Sequence, residues 1–112
     1  MSFEVIVTDP FERKIKKLFK KHQSIKEDLF QVISELEKDP TMGIPLGNNC
    51  YKIRMAITSK GKGKSGGARL ITLVRILNKH VFLLDLYDKS DKDNISEPEL
   101  QYLIEVLNQS SK

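Results

Sequence analysis

The spacing of apolar and polar residues near the N-terminus predicts one strand followed by two helices. Residues 3–8 are mostly β-branched or aromatic, which favours a strand. Asp9 and Pro10 have the residue types of a helix N-cap and first turn, and apolar residues recur at helical spacing after them. A second helix should begin at Ser24, because Ser24-x-x-Glu27 has the form of a capping box. The connection between them is so short that the two helices should form an antiparallel hairpin.

The rest of the pattern predicts three strands and a final helix. Residues 41–49 contain Pro45 and two glycines, which favours a loop. Strands follow at residues 51–57, 70–77 and 81–87. The last helix should begin at Ser96, because Ser96-x-x-Glu99 is another capping box. The order β-α-α-β-β-β-α indicates one α+β domain over residues 1–112, with an antiparallel sheet packed against the helical hairpin and the last helix.

The cysteine and apolar content narrows the class of protein. Cys50 is the single cysteine, so an internal disulfide is excluded and a cysteine-based metal site is not expected. No apolar run reaches the length of a membrane span, and the first residues lack the apolar core of a secretion signal. The sequence therefore predicts a cytoplasmic protein that uses no metal and no cofactor.

Charge is distributed unevenly along the chain. The formal net charge is only +4, but residues 41–84 carry eight Lys or Arg and no acid. The flanks carry 11 of the 19 cations and all 15 acids, so they sum to −4. A block of one sign indicates a polyanionic partner, whereas the alternative is a basic hairpin kept for solubility. Acids are absent from the predicted strands as well as from the loop, and this favours a polyanionic partner over a role in solubility.

The densest part of this block is the segment Lys60–Arg69, in which lysines alternate with glycines. Glycine lets a backbone approach a ligand closely, and the lysines supply charge for phosphate groups. The spacing Gly61-x-Gly63-x-x-Gly66 matches a dinucleotide-binding fingerprint, but that motif must lead into a helix, and here a strand is predicted to follow. The segment lacks the spacing of a Walker A loop, and the chain is too short for a protein kinase. A phosphate-binding loop between two strands is what the pattern indicates.

The strands beside this loop contribute further candidate residues. Lys52 and Arg54 share the polar face of one predicted strand, and Arg69 opens the next. The predicted site consists of Lys52, Arg54, Arg69, Tyr87, Lys89 and Lys92. Cations that bind phosphates, together with an aromatic ring that stacks on a base, are typical of an RNA-binding site.

Three segments of the chain resemble a known protein family. They are residues 51–56 (Tyr-Lys-Ile-Arg-Met-Ala), residues 60–71 with their Lys-Gly-Lys-Gly-Lys-Ser-Gly-Gly-Ala-Arg run, and residues 83–89 (Leu-Leu-Asp-Leu-Tyr-Asp-Lys). Together they resemble the RelE/HigB toxins of bacterial type II toxin–antitoxin systems, and the glycine–lysine segment is most similar to the HigB-type branch. The resemblance covers almost the whole chain and implies a RelE-like fold.

The resemblance also implies a function and partners. Such toxins cut messenger RNA in the A site of a translating ribosome, and a cognate antitoxin, often a helix-turn-helix DNA-binding protein, holds them inactive. The family's basic residues correspond to Lys52, Arg54, Arg69 and either Lys89 or Lys92. Some members carry a functional tyrosine early in the last helix, where Ile95 is the nearest residue here. The base-stacking role therefore falls to Tyr87.

These residues suggest a cleavage that needs no metal. The ribose 2′-OH would attack the adjacent phosphate and leave a 2′,3′-cyclic phosphate and a 5′-OH, while cations stabilise the developing charge. Arg54 and Arg69 are assigned to the phosphate, and Lys89 to the leaving oxygen. The candidates for the general base are Lys52, Lys62 and Lys64. Contacts with the RNA backbone are predicted for Lys60, Lys62, Lys64 and Lys92. The variant Arg69→Ala should abolish growth arrest while leaving the fold intact.

Two other functions remain open from the sequence. ParE-type relatives share the fold but inhibit DNA gyrase and lack the clustered basic site, so the cations kept here argue against that alternative. The other is an RNA-binding module whose lysines contact phosphates without cleavage.

Overall fold

The computed structural model describes residues 2–61 and 63–110, which are organised around one five-stranded sheet. The strands are β1 (Glu4–Val7), β2 (Ile44–Gly47), β3 (Cys50–Met55), β4 (Ala68–Arg75) and β5 (His80–Asp88). Their order across the sheet is β1-β5-β4-β3-β2. The predicted α+β class is confirmed. The sheet is mixed instead of fully antiparallel, because β1 runs parallel to β5 and the other pairs are antiparallel.

Three helices flank the sheet: α1 (Asp9–Lys21), α2 (Ile25–Lys38) and α3 (Glu97–Ser110). The capping box predicted at Ser96 and Glu99 is confirmed, since the Glu99 backbone N–H donates to Ser96 Oγ and the Ser96 N–H donates to Glu99 Oε1. The N-cap of α1 is Thr8, one residue before the predicted Asp9. Ser24 does not cap α2 with its side chain, because its hydroxyl donates to Asp28 instead. Within the described residues, no helix is long and apolar enough to cross a membrane.

The strand β2 was not predicted, because residues 41–49 have the composition of a loop. Pro45 is tolerated there because β2 is at the edge of the sheet, where a missing backbone N–H costs no ladder hydrogen bond. Asn48 and Asn49 both have positive φ, 55° and 62°, as a two-residue hairpin turn requires. The turn-forming residues and the proline at the sheet edge therefore led to the prediction of a loop where the structure has a short hairpin.

Each face of the sheet carries its own apolar core. The face covered by α1 and α2 contains Phe11, Ile25, Leu36, Ile53, Leu70, Leu83 and Leu86. The opposite face packs against α3 and contains Cys50, Ile71, Phe82, Leu84, Tyr87, Leu100 and Leu107. The predicted alternation along β3 is confirmed, since Ile53 and Met55 are buried against the helical hairpin and Arg54 is exposed on the other side.

A bulge in β5 decides which residues reach the α3 face. Ile71 pairs with Asp85 and Thr72 pairs with Leu83, so Leu84 is an extra residue between two paired positions. Because side chains alternate with a period of two, this insertion reverses the orientation of everything after it. Tyr87 consequently joins the α3 face, whereas regular alternation from Leu83 would place it among the residues under α1 and α2.

Candidate active site

The strand register brings Arg54, Arg69 and Tyr87 into one row across the sheet. Arg54 of β3 pairs with Arg69 of β4, and Arg69 pairs with Tyr87 of β5. Residues paired in this way lie on the same face with their Cβ atoms about 5 Å apart. Lys52 and Asp85 belong to the next row on that face, on either side of Ile71. Residues from three predicted strands are thus gathered at one end of the sheet.

The two arginines of the row have different environments. Arg69 is 3% exposed, and its guanidinium donates to the carbonyl oxygens of Lys64 (2.9 Å), Ser65 (3.1 Å) and Ala68 (3.1 Å). It therefore holds the glycine–lysine segment through backbone carbonyls. Arg54 is exposed, and it lines a cleft of about 140 Å³ together with the exposed Lys64 and two carboxylates, Asp28 and Glu35. Neither arginine forms an ion pair within residues 2–61 and 63–110.

The glycine–lysine segment is folded onto the protein at its start. A 3₁₀ turn at Thr58–Lys60 is tied to the N-terminus of α2 by the Asp28 carboxylate. The backbone N–H and the hydroxyl of Thr58 both donate to this carboxylate, at 2.9 and 2.6 Å. Partial burial would raise the pKa of Asp28, but these bonds and one from Ser24 lower it below its usual value. Asp28 therefore remains ionised and anchors the segment.

Lys60 was predicted to contact RNA, and the structure shows its ammonium engaged within the protein. Its Nζ donates to Asp88 Oδ1 (2.7 Å) and to the Gly66 carbonyl (3.1 Å), and its side chain is only 17% exposed. Asp88 is buried and also accepts from the backbone N–H of Ser90 and lies 2.8 Å from His22 Nε2. Burial would raise the pKa of Asp88, but these donors together hold it well below its usual range. These contacts favour a structural role for Lys60.

The ring of Tyr87 is covered by a lysine. Tyr87 is 4% exposed, and Lys92 Nζ lies 4.8 Å from its ring centroid. Lys92 also donates to Glu99 (2.7 Å) and lies 3.9 Å from Asp85, and the bond from Lys92 lowers the pKa of Glu99 to about 2. The Tyr87 hydroxyl is buried and has no regular hydrogen-bond partner within residues 2–61 and 63–110. Burial raises the pKa of Tyr87, only partly offset by the charge of Arg69.

The remaining candidates lie around this row. Lys52 Nζ donates to Asn94 Oδ1 (2.7 Å), so the connection between β5 and α3 folds back across the sheet to β3. Lys89 is half-buried directly after β5, and its backbone N–H donates to the Gly67 carbonyl (3.0 Å). Lys62 lies outside the described residues. Lys52, Lys64, Lys89 and Lys92 therefore surround the arginine row, and Lys52 and Lys92 already have partners.

A family model decides the class of the protein. The model described as "RelE toxin of RelE / RelB toxin-antitoxin system" matches residues 11–111. The chain belongs to the RelE toxin family. It is accordingly the toxin of a toxin–antitoxin pair, and its family implies an antitoxin partner.

Solved structures of Escherichia coli RelE share the fold of this RelE-family toxin. An arginine-to-alanine double mutant of E. coli RelE in the free state superimposes with a TM-score of 0.61 at 17% identity, over 94% of this chain and 97% of that one. The isolated E. coli RelE toxin gives a TM-score of 0.56 at 19% identity, over 94% and 99%. No curated protein sequence matched. At these identities the likeness establishes the fold alone.

Sequence reasoning missed the acids that organise the site of this toxin. Asp85 lies within an apolar run, which indicates a strand residue, and Asp88 lies directly after that run, which indicates a turn residue. Neither position suggests a role in the site. His22 follows α1 directly, and its ring contacts Asp88 from 66 positions away in the sequence. An acid inside an otherwise apolar strand was the one available signal, because a buried carboxylate needs partners.

Proposed function

We propose that this RelE-family toxin cleaves messenger RNA on the translating ribosome and thereby stops translation in the cytoplasm. The observation that carries the proposal is the direct pairing of Arg54 with Arg69 on neighbouring strands. Like charges in such a position destabilise a sheet, and neither arginine forms an ion pair with a carboxylate in the described part of the chain. A phosphate group bound here would relieve that repulsion.

The exposed Arg54 is the primary contact for the scissile phosphate. Lys64 lines the same cleft and supplies a second cation for the RNA backbone. Arg69 contributes positive potential from beneath the glycine–lysine segment, and a direct contact with RNA would require that segment to open. The ribose 2′-OH attacks the adjacent phosphate, and these cations stabilise the charge that develops on its oxygens.

Proton transfer falls to lysines at the edges of the row. Lys52 is the candidate base, because it lies one row from Arg54 on the same face of the sheet. Lys89 follows β5 on the other side and would serve the leaving oxygen. Stacking of a base on Tyr87 requires Lys92 to move off the ring.

Primer extension on messenger RNA from cells that express the toxin tests the proposal. We expect discrete cuts in phase with codons, and we expect Arg54→Ala to reduce them by about 100-fold or more, the usual effect of losing one stabilising group. Arg75→Ala is the matched control, because it removes a guanidinium from the other end of β4, about 20 Å away. Cleavage by this control should persist.

Three results would overturn the proposal. Intact messenger RNA with induced DNA damage would identify a gyrase inhibitor, and intact messenger RNA with blocked translation would identify an RNA-binding module. Equal loss of cleavage in the Arg54 and Arg75 variants would show that the arginine row has no special role.

A further inference from the structure

The connection between β5 and α3 forms a strap, from Lys92 to Asn94, across the sheet beside the arginine row. At one end, Lys92 Nζ lies 3.9 Å from Asp85 Oδ2 of β5. At the other end, Lys52 Nζ of β3 donates to Asn94 Oδ1 at 2.7 Å. Ile71 of β4 pairs with both Asp85 and Lys52 and is 0% exposed, so the two contacts lie at opposite ends of one row. The strap therefore spans three strands, a distance of about 10 Å.

The strap occupies two groups that the proposed reaction uses. Lys52 is the candidate base, and Asn94 accepts a hydrogen bond from its ammonium. The ring of Tyr87 is the candidate surface for a nucleobase, and Lys92 Nζ lies over it, 4.8 Å from the centroid. An RNA strand that contacts Lys52 and stacks on Tyr87 has to compete with the strap for both.

Side-chain contacts hold the strap, whereas its two ends are fixed by the backbone. Asp93 and Asn94 form no hydrogen bond with another backbone group in the described part of the chain. Before the strap, the Lys89 N–H donates to the Gly67 carbonyl, and after it Ser96 caps α3. Exposed polar contacts such as that of Asn94 contribute little to stability. The strap can therefore leave the sheet while β5 and α3 stay folded.

We propose that the strap is an autoinhibitory contact, which closes the site in the free toxin and which messenger RNA displaces by taking Lys52 and Tyr87. The proposal rests on the proposed ribonuclease function, because it concerns access to the same site. Lys92 is free to contact the RNA backbone once it has left the ring. Only the open state binds RNA fully, so closure lowers the apparent affinity in proportion to the fraction of open molecules.

Fluorescence anisotropy tests this with the full-length toxin and a labelled single-stranded RNA whose riboses are all 2′-O-methylated, which prevents cleavage. Asn94→Ala should tighten RNA binding by about threefold to fivefold, the effect of removing one exposed competing contact. The matched control is Asn78→Ala, the same change in the exposed turn between β4 and β5, at the opposite end of the sheet. Its affinity should stay within about 1.5-fold of the parent, and thermal melts should show that both variants are folded.

The other end of the strap is tested through Glu99, which accepts from Lys92 at 2.7 Å. Glu99→Gln weakens this anchor and keeps a residue type that suits the capping box. Glu97→Gln is the matched control, because it removes the same charge from an exposed position in the same turn of α3. We expect Glu99→Gln to tighten RNA binding about threefold more than Glu97→Gln does.

Nuclear magnetic resonance detects the movement of the strap directly. An ammonium above an aromatic ring places the neighbouring methylene protons in the shielding region of the ring, so those of Lys92 should resonate upfield in the free toxin. Saturation with the methylated RNA should return them to the usual position of a lysine. An upfield shift that persists in the RNA complex would overturn the proposal.

Cleavage on programmed ribosomes at rising toxin concentration separates autoinhibition from a positioning role. Asn94→Ala should lower the toxin concentration for half-maximal rate and leave the rate at saturation unchanged. A lower saturating rate would make Asn94 a positioning residue for Lys52 and overturn the proposal. RNA affinities that match those of the controls, or no RNA binding by any variant, would also overturn it. Tighter binding without any cleavage would support the strap and refute the ribonuclease, so the two failures are distinct.

Discussion

At the scale of single residues, burial separates two arginines that the sequence treats alike. Arg54 presents its charge to solvent, whereas Arg69 is nearly inaccessible and bound to three carbonyl oxygens. A buried cation that donates to several backbone carbonyls stabilises the conformation of the segment around it, in addition to any effect on a ligand. The expectation that Arg69→Ala leaves the fold intact therefore has to be revised.

Arg69→Ala should lower the free energy of unfolding by about 2 kcal/mol, because three charge-assisted hydrogen bonds are lost. Arg54→Ala should change it by less than about 0.5 kcal/mol, as is usual for an exposed site. Urea denaturation followed by circular dichroism measures both. The same midpoint for the two variants would show that the carbonyl contacts of Arg69 contribute nothing to stability.

At the scale of elements, the glycine–lysine segment is held at both ends instead of hanging free between two strands. Asp28 and Asp88 anchor its start through Thr58 and Lys60, while Arg69 anchors its later turn through the Lys64 carbonyl. Gly67 lies so close to β3 that a Cβ there would overlap the Met55 carbonyl oxygen. This glycine is required by close backbone contact, not by an unusual φ.

Substitution of three glycines in this segment should give a ranked series. Gly67→Ala should destabilise most, by about 2–3 kcal/mol, because backbone must move to admit the methyl group. Gly61→Ala should lower the free energy of unfolding by about 1 kcal/mol. The methyl group would meet no atom within 4 Å, but φ at Gly61 is +74°, which is unfavourable for alanine. Gly63→Ala meets no atom within 4 Å and should be neutral within about 0.5 kcal/mol. Thermal unfolding gives the order, and a neutral Gly67→Ala would contradict it.

At the scale of the whole molecule, Asp88 joins parts that are distant in sequence. It contacts His22 after α1, Lys60 in the glycine–lysine segment and Ser90 before α3. Its depressed pKa means that folding favours the ionised form. The stability that it contributes is present above the pKa of the unfolded chain and is lost as pH falls through the folded value.

Asp88→Asn should lower the free energy of unfolding at pH 7 by about 3 kcal/mol, because Lys60 is left largely buried without a counter-charge. The difference from the parent should shrink as pH falls below about 4, because the carboxylate of the unfolded parent becomes protonated there while that of the folded parent stays ionised until lower pH. Urea denaturation at pH 7, 4 and 2.5 measures this, with the exposed Asp93→Asn as the control. A difference that is constant with pH would contradict the role assigned to the ionised carboxylate.

Patterns of local origin were predicted well from the sequence. Periodicity located three helices and four of the five strands, the Ser96–Glu99 box was found from its spacing, and alternation placed Lys52 and Arg54 on one face. Each of these depends on residues a few positions apart, so local preference and burial agree. The cationic block and the family resemblance were likewise visible without a structure.

Contacts between residues that are distant in sequence decided the features that local patterns did not predict. Whether Pro45 belongs to a strand depends on its place at the edge of the sheet, and the face occupied by Tyr87 depends on one extra residue in β5. The burial of Arg69 and the partners of Asp88 depend on contacts between distant segments. Sequence determined which charges this toxin carries and on which strands, while tertiary structure decided which of them are exposed, because solvent access is a property of packed elements and not of local pattern.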